Sequence, residues 1–321
     1  MAVSDTRSDD SAGTVTDLAV HSIHEFVFSV PDLREAERFY VEFGLDVRQE
    51  DGGLGLYTFG NPHRWGRVLV GNRKQLRWIS LGIFDKDFEA FEKRLRAHDV
   101  KHIAAPAGAD ADGIWFEGPD GLAMRLVVAE KCSPSRKSTR IYPPALSKYG
   151  RAPCRSQVTA VRPTHLSHVL LFTLDVDAAR RFYADTLGLR LSDHSGSIIA
   201  FMHSPHGSDH HLIAFAKSDG VGLHHTSWDV PSIDDVALGS EQMARSGYGD
   251  GWGLGRHVLG SNYFRYVRDP WGSYAEYSFD IDFIPAGTQW DAADHPPEDS
   301  LYVWGPDVPK DFVVNHETQL A

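Results

Sequence analysis

The chain repeats its own plan at an offset of about 150 residues, and a duplication constrains a fold more than any local pattern does. In the first half Phe26-Val-Phe-Ser-Val, a strand-like run, leads to Asp32. That residue is the expected N-cap of a helix carrying Leu33, Ala36, Phe39 and Tyr40 and ending near Gly44. In the second half Val169-Leu-Leu-Phe-Thr leads through Asp175 to Val176, Ala179, Phe182 and Tyr183, ending near Gly188. Arg38-Phe-Tyr and Arg181-Phe-Tyr mark the same turn of helix. Further along, Leu76-Arg-Trp-Ile-Ser-Leu-Gly-Ile lies over Leu223-His-His-Thr-Ser-Trp-Asp-Val, and Phe116-Glu-Gly-Pro-Asp-Gly over Val267-Arg-Asp-Pro-Trp-Gly. Each half therefore holds two modules in series, each reading strand, helix, then several strands. This is an α+β pattern in which the helix covers one face of a curled sheet.

The four modules fall at 22–71, 76–130, 166–217 and 222–280, which gives a domain over 21–130 and a second over 163–283. Residues 1–20 are polar and acidic and are expected to be disordered; 131–162, rich in Ser, Pro, Lys and Arg, is the expected linker. After residue 283 the chain is rich in Pro, Trp and Asp, and 284–321 is expected to wrap the second domain as an ordered tail.

A chain of 321 residues with 42% hydrophobic content can supply a sizeable core to each half. The net charge of −12 and the lack of a Lys/Arg-rich run argue against nucleic acid as a partner. No signal-peptide pattern opens the chain and no long apolar run interrupts it, so a cytoplasmic protein without a membrane partner is expected. Cys132 and Cys154 are the only thiols, too few for a disulfide framework or a Cys-rich zinc site, so a metal is expected on His and carboxylate.

Nine of the seventeen histidines lie between residues 165 and 225. A lone strand histidine is more often structural than a ligand, and it is position within the repeat that selects among them. His168 opens the first strand of module three, His225 opens the first strand of module four, and Glu276 lies in the last strand of module four. If the two modules curl around one cavity these three converge. Two neutral imidazoles and one carboxylate suit non-haem Fe(II) and leave coordination positions open. Strand alternation puts 225, 227 and 229 on one face and 224 and 226 on the other, so His225 is read as inward and His224 as a rim or structural residue. The first half supplies an internal control. Trp78 stands where His225 is, Arg125 where Glu276 is, and His24 lies within one residue of the His168 position; a tryptophan and a cation cannot hold a divalent ion.

Tyr263 to Tyr277 reads as a hairpin with its loop near Trp271, which sets Tyr266 directly across from Glu276. A phenol beside a metal carboxylate can donate to a substrate oxygen, and it can equally be half of an ordinary cross-strand pair. In the strand-like His210-His-Leu-Ile-Ala-Phe-Ala, His210 and His211 face opposite ways, and one of them must look into the cavity. An uncoordinated imidazole there suits proton transfer. His257 lies on the stretch leading into the Tyr266 strand.

These features make the second half resemble the catalytic domain of the type I extradiol ring-cleavage dioxygenases, in the vicinal oxygen chelate (glyoxalase/bleomycin resistance) superfamily. The resemblance rests on Leu166-Ser-His-Val, Asp209-His-His-Leu-Ile-Ala-Phe, Leu223-His-His-Thr-Ser, Gly255-Arg-His, and Tyr266 through Asp269-Pro-Trp-Gly to Glu276-Tyr. It implies four βαβββ modules, two per domain, each pair forming a curled, partly open mixed-sheet barrel, with only the C-terminal barrel active. It implies Fe(II), or else Mn(II), on His168, His225 and Glu276. His211 corresponds to the family's acid/base histidine, and His257 and Tyr266 to its substrate-binding pair. The implied reaction is extradiol cleavage of a catechol- or hydroquinone-type ring with incorporation of both atoms of O2, in the degradation of aromatic compounds. The expected partners are a small aromatic diol and O2, in a homo-oligomer. Val258-Leu-Gly-Ser-Asn is less polar than in biphenyl-type members and the tail is long, departures that bear on the substrate. The competing readings are a glyoxalase-like metal-dependent isomerase or lyase, and a protein of the same fold that sequesters an aromatic ligand. The first does not need His211, His257 and Tyr266 together, and the second predicts a degenerate triad.

Overall fold

The computed structural model describes residues 17–140 and 152–318. Residues 1–16, read from sequence as disordered, and 141–151 of the expected linker lie outside the described residues, as do 319–321. The first half forms β1 (Ser22–Val30), α1 (Leu33–Phe43), β2 (Asp46–Glu50), β3 (Gly53–Tyr57), β4 (Gly66–Val70), β5 (Gln75–Ile83), α2 (Phe88–Ala97), β6 (Ile114–Glu117) and β7 (Ala123–Val128). The second forms β8 (His165–Thr173), α3 (Val176–Leu187), β9 (Arg190–Ser195), β10 (Ile199–His203), β11 (Ser208–Asp209), β12 (Ile213–Lys217), β13 (Gly222–Asp229) and α4 (Ile233–Arg245). It continues through β14 (Gly251–His257), β15 (Tyr263–Arg268), β16 (Tyr274–Phe279), β17 (Phe283–Ile284) and β18 (Tyr302–Trp304).

The matched helices begin and end where their caps dictate. Asp32 accepts from the N–H of Arg34 at 2.9 Å, and Asp175 from that of Ala178 at 2.9 Å, each satisfying a backbone donor that the first helical turn leaves unpaired. Both helices stop at a glycine in the left-handed region, Gly44 at φ 99° and Gly188 at φ 75°. A Cβ at Gly44 would also lie 2.1 Å from the carbonyl oxygen of Val161.

The repeat is written into the sheets. The first half makes one seven-stranded sheet in the order β2-β3-β4-β1-β5-β7-β6; β14 to β16, β18 and the strands β8, β9, β10, β12 and β13 make a nine-stranded one. In each, the opening strands of the two modules pair antiparallel at the centre (β1 with β5, β8 with β13). The closing strand of each module lies parallel to its own opening strand. The second module departs from the full pattern, because only a single bridge, His102 to Phe116, stands where its first strand after the helix is expected. The architecture is the mixed α+β, curled half-barrel arrangement. The helices lie between the two sheets, where α1 meets α4 and α2 meets α3. One buried apolar cluster runs through both halves, and the Phe43 ring stacks on Tyr277 at 4.0 Å across the seam.

Two boundaries differ from the sequence reading. Residues 17–20, assigned to the disordered N-terminus, are packed: Ala19 and Val20 are fully buried and the Val20 N–H donates to Leu187 O at 3.0 Å. The short apolar run Leu18-Ala-Val covers the end of α3, which polarity averaged over twenty residues conceals. The tail also does more than wrap, since β17 pairs with β11 and β18 extends the large sheet beside β14. Among the described residues no helix is long and apolar enough to cross a membrane.

Candidate active site

Strand register brings the three proposed ligands together. β8 pairs His168 with Ser227, and β16 pairs Glu276 with the same Ser227, while His225 lies two residues earlier on β13. His168 Nε2 is 3.3 Å from His225 Nε2 and 3.4 Å from Glu276 Oε2; His225 Nε2 is 3.6 Å from Glu276 Oε2. Three donors about 2.1 Å from one ion and roughly 90–110° apart would lie about 3.0–3.4 Å from each other, so this triangle fits a divalent ion with its far side open. Glu276 Oε2 is buried with no hydrogen-bond partner, an arrangement that a cation would relieve. Its other oxygen, Oε1, accepts from Asn262 Nδ2 at 3.0 Å, and Asn262 also reaches Ser278 Oγ at 2.9 Å.

Electrostatics keep the donors in ligand form. Burial pushes the Glu276 carboxyl up, but the adjacent His168 and His257 imidazoles outweigh it and hold the group below the ordinary glutamate value. Burial, reinforced by neighbouring imidazoles, holds His225 and His211 well below the usual histidine value, so both are neutral.

In three of the site histidines, the preceding residue holds Nδ1. Ser167 Oγ lies 3.3 Å from His168 Nδ1 and donates to Asp209 at 2.6 Å. His224 Nδ1 lies 2.7 Å from His225 Nδ1, and its Nε2 donates to Phe312 O at 2.8 Å. His210 Nδ1 lies 3.0 Å from His211 Nδ1, and its Nε2 is 2.8 Å from Asp193, which in turn meets His295 Nε2 at 3.0 Å. With Nδ1 engaged, each ring turns Nε2 toward the cavity.

This pattern corrects the alternation argument. The register of β13 slips between Leu223 and His225, so His224 is the extra residue of a bulge and lines the cavity together with His225 instead of facing away. His210 and His211 likewise precede β12, which begins only at Ile213, so simple alternation does not govern them. The hairpin expectation agrees with the structure, where Tyr266 pairs directly with Glu276. Tyr266 Oη donates to His257 Nε2 at 2.9 Å, and His257 Nδ1 donates to Leu301 O at 2.7 Å. Burial and the Glu276 charge push the Tyr266 phenol well above its ordinary value, so it remains a donor.

His211, His257 and Tyr266 open with His168 and His225 into one cavity, walled by Leu170, Ile199, Phe201, Leu259, Leu301, Val308, Phe312 and Val313. Among the described residues no Lys or Arg lines it. Sequence reasoning missed Asn262 and the tail's contribution; nothing in a Pro- and Asp-rich tail marks Leu301 and Phe312 as backbone acceptors for site histidines.

The same registers identify the counterparts in the first half. Trp78 pairs with Ala123 as His225 pairs with Tyr274, and Ser80 with Arg125 as Ser227 with Glu276. Glu25, not His24, pairs with Ser80 as His168 does with Ser227; His24 is the extra residue of a bulge in β1, which explains the one-residue slippage. Glu25 binds Arg64 at 2.7 Å, Arg125 binds Ser80 and Asp112 at 3.0 and 3.1 Å, and Trp78 packs with Val27 and Trp115. Ion pairs and tryptophans fill the space that the triad frames in the second half.

Comparison with known proteins places this geometry in context. Residues 165–277 match the family model of the glyoxalase/bleomycin resistance protein/dioxygenase superfamily. The chain is 50% identical over 299 residues to metapyrocatechase 2 of Cupriavidus necator, covering 93% of both chains. It is 31% identical over 137 residues to an iron-dependent extradiol dioxygenase of Rhodococcus jostii strain RHA1, covering 39% of this chain and 44% of that one. Among solved structures, the Mn(II)-bound glyoxalase of Novosphingobium aromaticivorans superposes with a TM-score of 0.72 at 24% identity, over 91% of this chain and 93% of the other.

Proposed function

Since the chain belongs to the extradiol dioxygenases of the glyoxalase/bleomycin resistance protein/dioxygenase superfamily, we propose that its second half cleaves a catechol- or hydroquinone-type ring beside the hydroxylated carbons, incorporating both atoms of O2. It is a metal-dependent enzyme acting on a small aromatic diol in the breakdown of aromatic compounds. The ion we assign is Fe(II), held by His168, His225 and Glu276; Mn(II) suits the same donors. The observation that carries this reading is the buried three-donor triangle opening into a cavity that also receives His211, His257 and Tyr266.

When bound, the ion supplies the redox centre and Lewis acid that bring diol and O2 together. The protein's own groups do the rest. A substrate hydroxyl that enters between His257 and Tyr266 exchanges their mutual bond for two of its own, donating to His257 Nε2 and accepting from Tyr266 Oη. His211, with Nδ1 tied to His210, uses Nε2 to take a proton from the substrate side and return it to the ring-opened product. Phe201, Leu259 and Phe312 exclude water from the reacting ring. Because no cation among the described residues lines the walls, the ring substituent we assign is uncharged.

Anaerobically purified protein loaded with Fe(II) is expected to consume O2 and form a yellow ring-opened product from unsubstituted or alkyl-substituted catechols. No uptake across a panel of catechols and hydroquinones would overturn the assignment.

A further inference from the structure

The two thiols are too few for a Cys-rich site, yet the fold carries one of them to a pair of histidines. We propose that His24, His63 and Cys132 form a second metal site on the first half, of the zinc class. It is independent of the catalytic triad and of the reaction assigned to it. One ligand atom from each of the three lies within 4.8 Å of the others. They come from separate segments: the bulge in β1, the loop between β3 and β4, and the stretch after β7.

Each donor is held in a form that a metal can use. The bulge turns His24 out of the alternation of its strand, and its Nδ1 is buried with no hydrogen-bond partner. His63 Nε2 donates to the His24 carbonyl at 2.9 Å, which leaves the Nδ1 lone pair free, the arrangement by which ligating histidines are commonly oriented. The two rings meet edge to face at 5.0 Å. Cys132 is fixed through its backbone, where its own N–H and that of Ser133 both donate to Ser22 Oγ, at 3.1 and 3.0 Å, and its thiol rests 3.3 Å from Ile23 O.

The donor set selects the ion. Two imidazoles and a thiolate with no carboxylate favour Zn(II) over the harder Mg(II), Ca(II) or Mn(II). Burial holds the His24 imidazole at about 4, hence neutral, and pushes the Cys132 thiol up, so the bare site holds an S–H. Binding replaces that S–H by a sulfur–metal bond and releases one proton to solvent, with no change in oxidation state. The nearby Arg64 and Arg125 are already engaged, Arg64 with Glu25 and Glu50 at 2.7 and 3.0 Å and Arg125 with Asp112 at 3.1 Å. All three ligands are only half-buried, which leaves the fourth tetrahedral position to water.

Cobalt(II) titration of the full-length protein tests the site, because the catalytic triad contains no sulfur. A near-ultraviolet sulfur-to-Co(II) charge-transfer band is expected in the wild type and in Cys154→Ser, and is expected to vanish in Cys132→Ser and His63→Ala. Zinc content after gel filtration should fall from two ions per chain to one in Cys132→Ser, with Fe(II)-dependent ring cleavage unchanged. If Cys132→Ser does not fold, alkylation of the wild type decides: Zn(II) should protect Cys132 and leave Cys154 reactive. A wild type that shows no band and binds a single ion, a band that survives loss of Cys132, or equal alkylation of both thiols would overturn the proposal.

Discussion

Nδ1 of His224 lies 2.7 Å from Nδ1 of His225, while Nε2 of His224 donates to the Phe312 carbonyl 2.8 Å away. The outer bond leaves His224 Nδ1 as the acceptor, so His225 must carry its proton on Nδ1 and keep Nε2 free. A bulge in β13 makes this possible by bringing consecutive side chains to one side of the strand. His224→Ala should therefore weaken Fe(II) affinity about 10- to 100-fold without removing a ligand. His225→Ala should abolish binding. Competition with a chelator during anaerobic iron titration measures both, and equal affinities in wild type and His224→Ala would remove the tautomer argument.

His211 lies beside the triad, its ring centroid 4.0 Å from that of His168, without being one of the three donors. His211→Phe should retain iron at the wild-type level and lower turnover about 10²- to 10⁴-fold. Loss of iron instead would mean that the residue is a ligand.

Among the described residues the cavity walls contain no cation to receive an anionic substituent. Catechols bearing a ring carboxylate should have kcat/KM at least about 100-fold below that of 4-methylcatechol, since an unpaired buried charge costs several kcal/mol. Comparable values for 3,4-dihydroxybenzoate and 4-methylcatechol would show that another group receives the carboxylate.

Burial holds His21 and His203 at about 4, and both side chains are essentially inaccessible. In the unfolded chain they titrate near the ordinary value of about 6.5, so between about pH 6.5 and 4 the unfolded state binds protons that the folded state refuses. Their contribution to stability is whole above this window and shrinks as pH falls through it, by up to about 1.4 kcal/mol per pH unit for each group. Urea midpoints of the metal-free protein should drop steeply from pH 6.5 to 4. His21→Gln should flatten that slope.

Trp78 occupies the position equivalent to His225 and is 1% exposed. Trp78→Ala should cost about 3–5 kcal/mol through the cavity it leaves while Fe(II) content stays at one ion per chain. Calorimetry or denaturant unfolding gives the first quantity and iron analysis the second; a second iron would show that the first half can still build a triad.

The sequence by itself determined the duplication, the capped helices from Asp32 and Asp175, the direct pairing of Tyr266 with Glu276, and the triad candidates. All follow from local chemistry or from alignment of the chain with itself: a cap needs a carboxylate at one position, and a hairpin register follows from its turn. The tertiary structure decided where strict alternation fails. Bulges at His24, Ser167 and His224 shift register by one residue and reassign what each side chain faces, and each exists only where one strand sets an extra residue against its partner. Nor could sequence spacing bring Phe312 to His224, Leu301 to His257 or Cys132 to His63, because those contacts join segments that meet only after both sheets have curled and the tail has docked.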